Sequence, residues 1–255
     1  MSRGKTFITG ASGYIGTVLT SQVISKGYTV HGLSHTLSSD AKIKALGATP
    51  ICGDFTSLNV LCSEASQSDI VFHLDYIHSL GWSNDLPDIV HVNVIGEGLK
   101  GSNKPFVITS GSCVMPHPEN GEMTEEMPST TVIPFAIRSA SENHMLGWAK
   151  EGVGIAVICM PPYVYGRGGS MFLPYLVQMA LKIGEVLYVD DGSTCTSAVH
   201  VDDAVALYLL ITGKLREEKI KPGKIFNCTT PTYHTVKEMA KAIGAVICLG
   251  HNKDL

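Results

Sequence analysis

Short apolar runs alternate with helical stretches over residues 1–160. The runs are Thr6–Thr9, Thr29–Leu33, Thr49–Cys52, Ile70–Leu74, Pro105–Thr109 and Ile155–Met160. Runs so uniformly apolar predict strands covered on both faces, as in a parallel sheet. Between the first two, Ile15, Val18, Leu19 and Val23 recur at helical spacing across Gly13–Lys26, and Gly27 supplies a helix stop. Strands alternating with helices predict right-handed βαβ units and a doubly wound α/β sheet. Past Met160 the pattern changes. Pro161 and Pro162 interrupt the chain, and a helix is expected over Met171–Ile183, a strand over Val186–Val189 and a helix over Asp202–Thr212. A strand over Ile225–Cys228 and a helix over Thr235–Ile243 complete the series. Residues 161–255 are therefore expected to form a small substrate-side region packed on the sheet ends and completing the same domain.

The junction of the first strand and first helix reads Thr9-Gly10-Ala11-Ser12-Gly13-Tyr14-Ile15-Gly16. Gly10 permits a tight turn, Gly13 lets the backbone approach a pyrophosphate, and Gly16 allows the helix to pack closely on the strand. The helix N-terminus then offers unbonded N–H groups and a positive dipole end to the phosphates. Glycines at this spacing are a weak signal alone. After a strand, before an amphipathic helix and inside a βαβ unit, they predict a Rossmann-type fold binding NAD(H) or NADP(H). At the end of the second strand a carboxylate would hold the adenosine 2′-hydroxyl and favour NAD. The chain instead reads Gly32-Leu33-Ser34-His35, which tilts the expectation toward NADP, with Ser34 and His35 as donors to a 2′-phosphate. Gly53-Asp54-Phe55 follows the third strand, well placed for the adenine amino group and ring.

Composition narrows the class. The 255 residues are 44% hydrophobic and 16% charged, with a formal net charge of −4. No basic stripe marks a nucleic-acid footprint, and no run of 18 apolar residues marks a membrane span. The N-terminus leads straight into a strand, leaving no room for a signal peptide. Seven cysteines without a C-x-x-C pair read as buried reduced thiols of a cytoplasmic protein rather than a disulfide or zinc framework. No metal is expected, because His31, His35, His73, His78, His91, His117 and His144 lack ligand spacing. Asp202 is expected to cap a helix and His200 to be structural.

The segments TGASGYIG, Gly53-Asp54-Phe55, VFHL, VITSGS, PPYVYGRGG and AVHVDDAVALYL occur in an order that resembles the extended or atypical short-chain dehydrogenase/reductases of the NAD-dependent epimerase/dehydratase type. Gly101-Ser102-Asn103-Lys104-Pro105, Thr109-Ser110-Gly111 and Arg138-Ser139-Ala140-Ser141-Glu142 resemble an atypical branch of that family. The resemblance implies cofactor contacts at Gly10, Ser12, Gly13, Tyr14, Ile15 and Gly16. It also implies that Asp54 and Phe55 hold adenine and that Leu74 and Asp75 flank a ribose. Thr109 would lie under the nicotinamide ribose, and Pro162 to Val164 would meet the nicotinamide.

The departures bear on the chemistry. Family members use a Ser/Thr and a Tyr-x-x-x-Lys segment. Here Gly111 stands at the Ser position, Phe135 at the Tyr position and Ser139 at the Lys position. Phe has no proton to donate and Ser no positive charge. Ser112, Ser110 and Arg138 are the remaining candidates for a hydrogen bond to a substrate carbonyl. Tyr76, Tyr163 and Phe172 are candidates to line a substrate pocket, with Tyr175 a further aromatic in the same stretch. An Arg that often follows the sugar-binding strand is missing from Asp191–Thr196, which argues against a nucleotide sugar. The leading expectation is an NADP(H)-dependent oxidoreductase, monomer or homodimer, acting on a small, rather apolar carbonyl or enone. A non-catalytic dinucleotide-binding sensor is second, and an NAD-dependent epimerase or isomerase third. The chain ends at Leu255, where the resembling proteins continue; a missing tail would remove part of a substrate lid and favour the sensor.

Overall fold

The apolar runs become the strands of one sheet. A computed structural model of the chain describes residues 2–74, 87–115, 123–127, 135–170, 172–230 and 233–251, the side chains at 87–88, 135–138 and 248–251 excepted. The chain forms two compact units, Met1–Cys159 with Val205–Asn227, and Met160–Ala204 with Cys228–Leu255.

In the first unit, β1 (Lys5–Thr9), β2 (Thr29–Ser34), β3 (Thr49–Cys52), β4 (Ile70–His73), β5 (Pro105–Gly111), β6 (Gly154–Met160) and β11 (Lys224–Asn227) lie in the order β11-β6-β5-β4-β1-β2-β3. The sheet is parallel, with Thr6 opposite Val30 on one side and Ile70 on the other, Val71 opposite Phe106, and Ile225 opposite Val157. Phe7, Val71, Phe72, Phe106, Val107, Ile155 and Ile158 have no exposed surface, because side chains on both faces are covered. Each contributes roughly 1.5–3 kcal/mol of burial. Strand order reverses between β1 and β4, and at such a reversal a crevice opens outside the carboxyl ends of the strands. The observed fold is thus the expected Rossmann-type doubly wound sheet.

Helices α1 (Tyr14–Ser25), α2 (Leu37–Ala45), α3 (Leu58–Ser66), α4 (Pro87–Leu99) and α5 (Phe135–Leu146) connect the strands. α1 buries Val18, Leu19 and Val23, the face its periodicity marked, and ends at Gly27 with φ 87°. Gly32 in β2 lets this layer come close. A Cβ there would lie 2.8 Å from Ala11 Cβ and 3.0 Å from Ile43 Cδ1. The glycine is therefore what allows the turn after β1 to sit against β2 with α2 packed behind it.

The second unit has a small sheet in which β7 (Tyr163–Gly166) pairs antiparallel with β8 (Gly169–Ser170) and parallel with β10 (Ala198–His200). β9 (Cys195–Thr196) pairs antiparallel with β12 (His234–Thr235). α6 (Phe172–Ile183) and α8 (Val236–His251) pack together, and α7 (Val201–Arg216) leads back into the first unit. The strand expected at Val186–Val189 does not form. Gly184 and Asp190 both take positive φ and bend the chain at each end. Val186 and Leu187 instead join Tyr175, Met179, Met239 and Ile243 around an apolar cavity of about 130 Å³. Val186 is half-buried against these partners, whereas Leu187 and Val189 stay 64% and 79% exposed. The strand expected at Ile225–Cys228 is found one residue earlier, beside β6.

Gly32→Val should overpack the contact with Ala11 and Ile43 and cost about 1–3 kcal/mol. Urea denaturation checks it; an unchanged midpoint would show that the turn does not depend on this approach.

Candidate functional site

The site is built from the carboxyl ends of β1 to β5. β1 ends at Thr9, and Gly10 turns the chain with φ 73°. The Gly13 amide donates to the Gly10 carbonyl at 3.0 Å, closing the turn. α1 starts one residue later. Gly13 is its N-cap, with no side-chain cap and no acidic residue in the first turn. Gly13 has no side chain to cap the helix, and no first-turn acid offsets the positive end of its dipole. A Cβ at Gly16 would lie 2.0 Å from the Gly10 carbonyl oxygen, so this position is closed to every other residue. A Cβ at Gly13 would lie 3.2 Å from the same oxygen, with φ −76° and Gly13 exposed. Gly16 is thus needed for the fold, whereas Gly13 keeps the space in front of the helix clear. Ser12, Tyr14 and Ile15 are half-buried around that opening. A helix N-terminus whose approach a side chain at Gly13 would narrow fits a pyrophosphate.

At the end of β2, Ser34 is 2% exposed and its hydroxyl donates to the Thr36 carbonyl at 3.3 Å. His35 is exposed beside the N-terminus of α2, where Thr36 accepts the Ser39 amide. Of the two expected phosphate donors, the structure therefore leaves His35 accessible and commits Ser34 to the backbone. After β3, Asp54 Oδ1 accepts the Thr56 hydroxyl at 2.7 Å, the Thr56 amide at 2.8 Å and the Ser57 hydroxyl at 3.1 Å. These bonds, Thr56 foremost, hold the carboxyl below its ordinary range and fix a stiff anionic loop. Phe55 is half-buried beside it.

β4 ends at His73, whose Nδ1 is 2.8 Å from the buried Thr9 hydroxyl. Burial, reinforced by the nearby His91, pushes His73 down to about 3 and keeps the imidazole neutral. Leu74 is half-buried, its amide donating to the Thr9 carbonyl at 3.3 Å. Asp75 and Tyr76 lie outside the described residues. β5 carries Thr109, half-exposed, whose hydroxyl is 2.6 Å from that of the fully buried Tyr208. Ser110 is buried, whereas Ser112 is half-exposed at the start of a 3₁₀ turn, Ser112–Val114. That makes Ser112 the more accessible of the two serine candidates. Arg138 and Phe135 fall on the part of α5 whose side chains are outside the described set. One turn on, Ser139 is 1% exposed, with its hydroxyl 3.5 Å from the Val114 carbonyl. Ser139 is thus packed beneath the β5 turn.

Pro162, Tyr163, Val164 and Phe172 belong to the second unit. Pro162 is exposed and Val164 lies in β7. Tyr163 and Phe172 meet edge to face at 6.4 Å, and burial raises the Tyr163 hydroxyl. Tyr163 also lines the apolar cavity. Among the described residues no cluster of His, Cys, Asp and Glu could hold a metal, and no helix is long and apolar enough to cross a membrane.

Sequence reasoning missed His73, His91 and Tyr208. Thr109 and Tyr208 are 99 positions apart, and no local pattern announces the pair.

The model of the NAD dependent epimerase/dehydratase family matches residues 6–229. An uncharacterised protein of Saccharomyces cerevisiae is 32% identical over 247 residues, covering 95% of this chain and 80% of its own length. The 4-hydroxy-2-methyl-3-oxo-4-farnesyl-3,4-dihydroquinoline-1-oxide ketoreductase of Stigmatella aurantiaca is 27% identical over 206 residues, 77% of this chain and 61% of that protein. The dTDP-glucose 4,6-dehydratase of Bacillus anthracis, solved in complex with NAD, superposes with a TM-score of 0.76 at 17% identity, over 95% of this chain and 81% of that one.

His73 gives the site a pH signature. The unfolded chain takes up this proton near 6.5, the folded one only near 3. Between these values the unfolded state binds more protons. The stabilisation is therefore complete above about pH 6.5 and is lost as pH falls, by about 1.4 kcal/mol per unit. Urea denaturation at neutral and mildly acid pH should show this slope in the wild type and a shallower one in His73→Gln. Equal slopes would contradict it.

Proposed function

The chain belongs to the NAD-dependent epimerase/dehydratase family, and from that membership we propose that it is an NADP(H)-dependent oxidoreductase acting on a small, rather apolar carbonyl or enone. The observation that carries this reading is the uncapped start of α1 behind an open Gly13, set beside two accessible hydroxyls, Thr109 and Ser112, at the end of β5. Bound there, the nicotinamide nucleotide would supply or accept hydride. The residues of this chain do the rest. The first-turn amides of α1 hold the pyrophosphate, Asp54 and the backbone of its loop take the adenine edge, and Thr109 positions the nicotinamide ribose. Ser112 donates a hydrogen bond to the substrate oxygen.

Preference for the phosphorylated cofactor is supported by the absence of a carboxylate at the end of β2 and by His35, exposed next to the start of α2. A carboxylate there would repel a 2′-phosphate. The apolar substrate class is supported by the ketoreductase relative, named for a farnesyl quinoline oxide. The aliphatic and aromatic lining of the second unit supports it too. Among the described residues six cysteines form no disulfide, as a reducing, cytoplasmic setting would have it.

A second reading has its own support. Ser139 is buried where the resembling family carries Lys, and its hydroxyl supplies no positive charge. A chain that kept the nucleotide cradle and lost the proton-transfer machinery would serve as a non-catalytic NAD(P) sensor.

Calorimetric titration with the four nicotinamide nucleotides separates these proposals from a purely structural glycine turn. NADPH should bind more tightly than NADH, and Gly13→Val should abolish binding in a variant that still unfolds cooperatively at a moderately lowered thermal midpoint. A wild type that binds none of the four at millimolar concentration contradicts dinucleotide binding.

Turnover provides the second test. General acid catalysis contributes ~10²–10⁴-fold, so without the Tyr/Lys pair NADPH oxidation with cyclic ketones and enones should be slow. It should fall further in Ser112→Ala. Tight binding with no turnover across the panel supports the sensor, and robust activity indifferent to Ser112 rejects the assignment of that residue.

A further inference from the structure

We propose that His91 is a positioning residue of the adenine subsite, clamping Phe55 from behind so that its outer face is presented to the nucleobase; this rests on the dinucleotide reading above. His91 comes from α4, an element that no glycine-loop motif includes, and is 5% exposed. Its ring stacks on Phe55 with centroids 4.4 Å apart and planes 23° from parallel. Phe55 in turn meets His73 edge to face at 6.4 Å and 81°, and His73 is bonded to Thr9, the residue before Gly10. A line of contacts therefore runs from the phosphate turn through Thr9, His73 and Phe55 to His91.

An aromatic ring has two faces. His91 occupies one of Phe55's, and Phe55 keeps part of its surface exposed; in the proposal a base entering the Asp54 loop stacks on the face opposite His91. The buried Nδ1 of His91 has no hydrogen-bond partner. A buried acceptor without a partner is unfavourable, so the flat ring holds the imidazole there rather than a polar contact of that nitrogen. Burial keeps His91 below its ordinary value against the pull of Asp54 and the hydrogen bond to the Phe55 backbone, consistent with a neutral stacking partner.

The test uses two probes, ADP-ribose, which carries adenine without nicotinamide, and nicotinamide mononucleotide, which lacks adenine. Binding is read by amide NMR shifts of the glycine loop, a method that resolves millimolar affinities. His91→Ala should weaken ADP-ribose roughly three- to tenfold, the scale of one aromatic contact, and leave nicotinamide mononucleotide unchanged. His91→Phe should restore ADP-ribose binding. Equal weakening of both probes, no weakening in His91→Ala, or failure of His91→Phe to restore binding would each overturn the clamp. A wild type that binds neither probe overturns the dinucleotide reading itself, a different outcome.

Discussion

The close contact between Gly16 and the Gly10 carbonyl sets the rest of this molecule. No Cβ fits at Gly16, so the first turn of α1 lies directly against the end of β1. That approach aims the first-turn amides outward at the point where strand order reverses. The remaining pieces are arranged around the same corner. Gly32 makes room for the turn from the β2 side. His73 anchors to Thr9 from β4. Asp54 and Phe55 close the β3 side, and Thr109 and Ser112 close the β5 side. Each comes from the carboxyl end of a different parallel strand, so the site depends on sheet register more than on any single loop.

The resemblance aligns Gly111, Phe135 and Ser139 with positions where the family uses a hydroxyl, a phenol and an ammonium. Under the proposed function, nucleotide binding and proton transfer would then come apart. Thr109 pairs its part-buried hydroxyl with that of Tyr208, and Ser139 packs against the turn after β5. Hydride transfer remains compatible with this arrangement, because orientation and a single hydrogen bond can support a slow reaction.

Much of this was legible in the chain. The six apolar runs map onto β1 to β6 because a parallel sheet buries both faces and leaves an uninterrupted signature. The glycine spacing marked the turn because steric exclusion is local. The strand expected at Val186–Val189 failed for the opposite reason. Val186 faces an apolar cavity lined by α6 and α8 while Val189 is 79% exposed, and periodicity cannot distinguish that from a ladder. Ser34 looked available in sequence yet its hydroxyl is spent on Thr36, a detail set by the bend into α2. His73, His91 and Tyr208 were invisible because their partners lie far away along the chain.

The central claim is that the α1 N-terminus is a working phosphate cradle. The most direct measurement is a two-dimensional amide NMR spectrum of the full chain during titration with NADPH. The account predicts that the Gly13, Tyr14, Ile15 and Gly16 amides shift first and furthest, saturating with the calorimetric affinity. Saturable binding that leaves those four amides in place would contradict it.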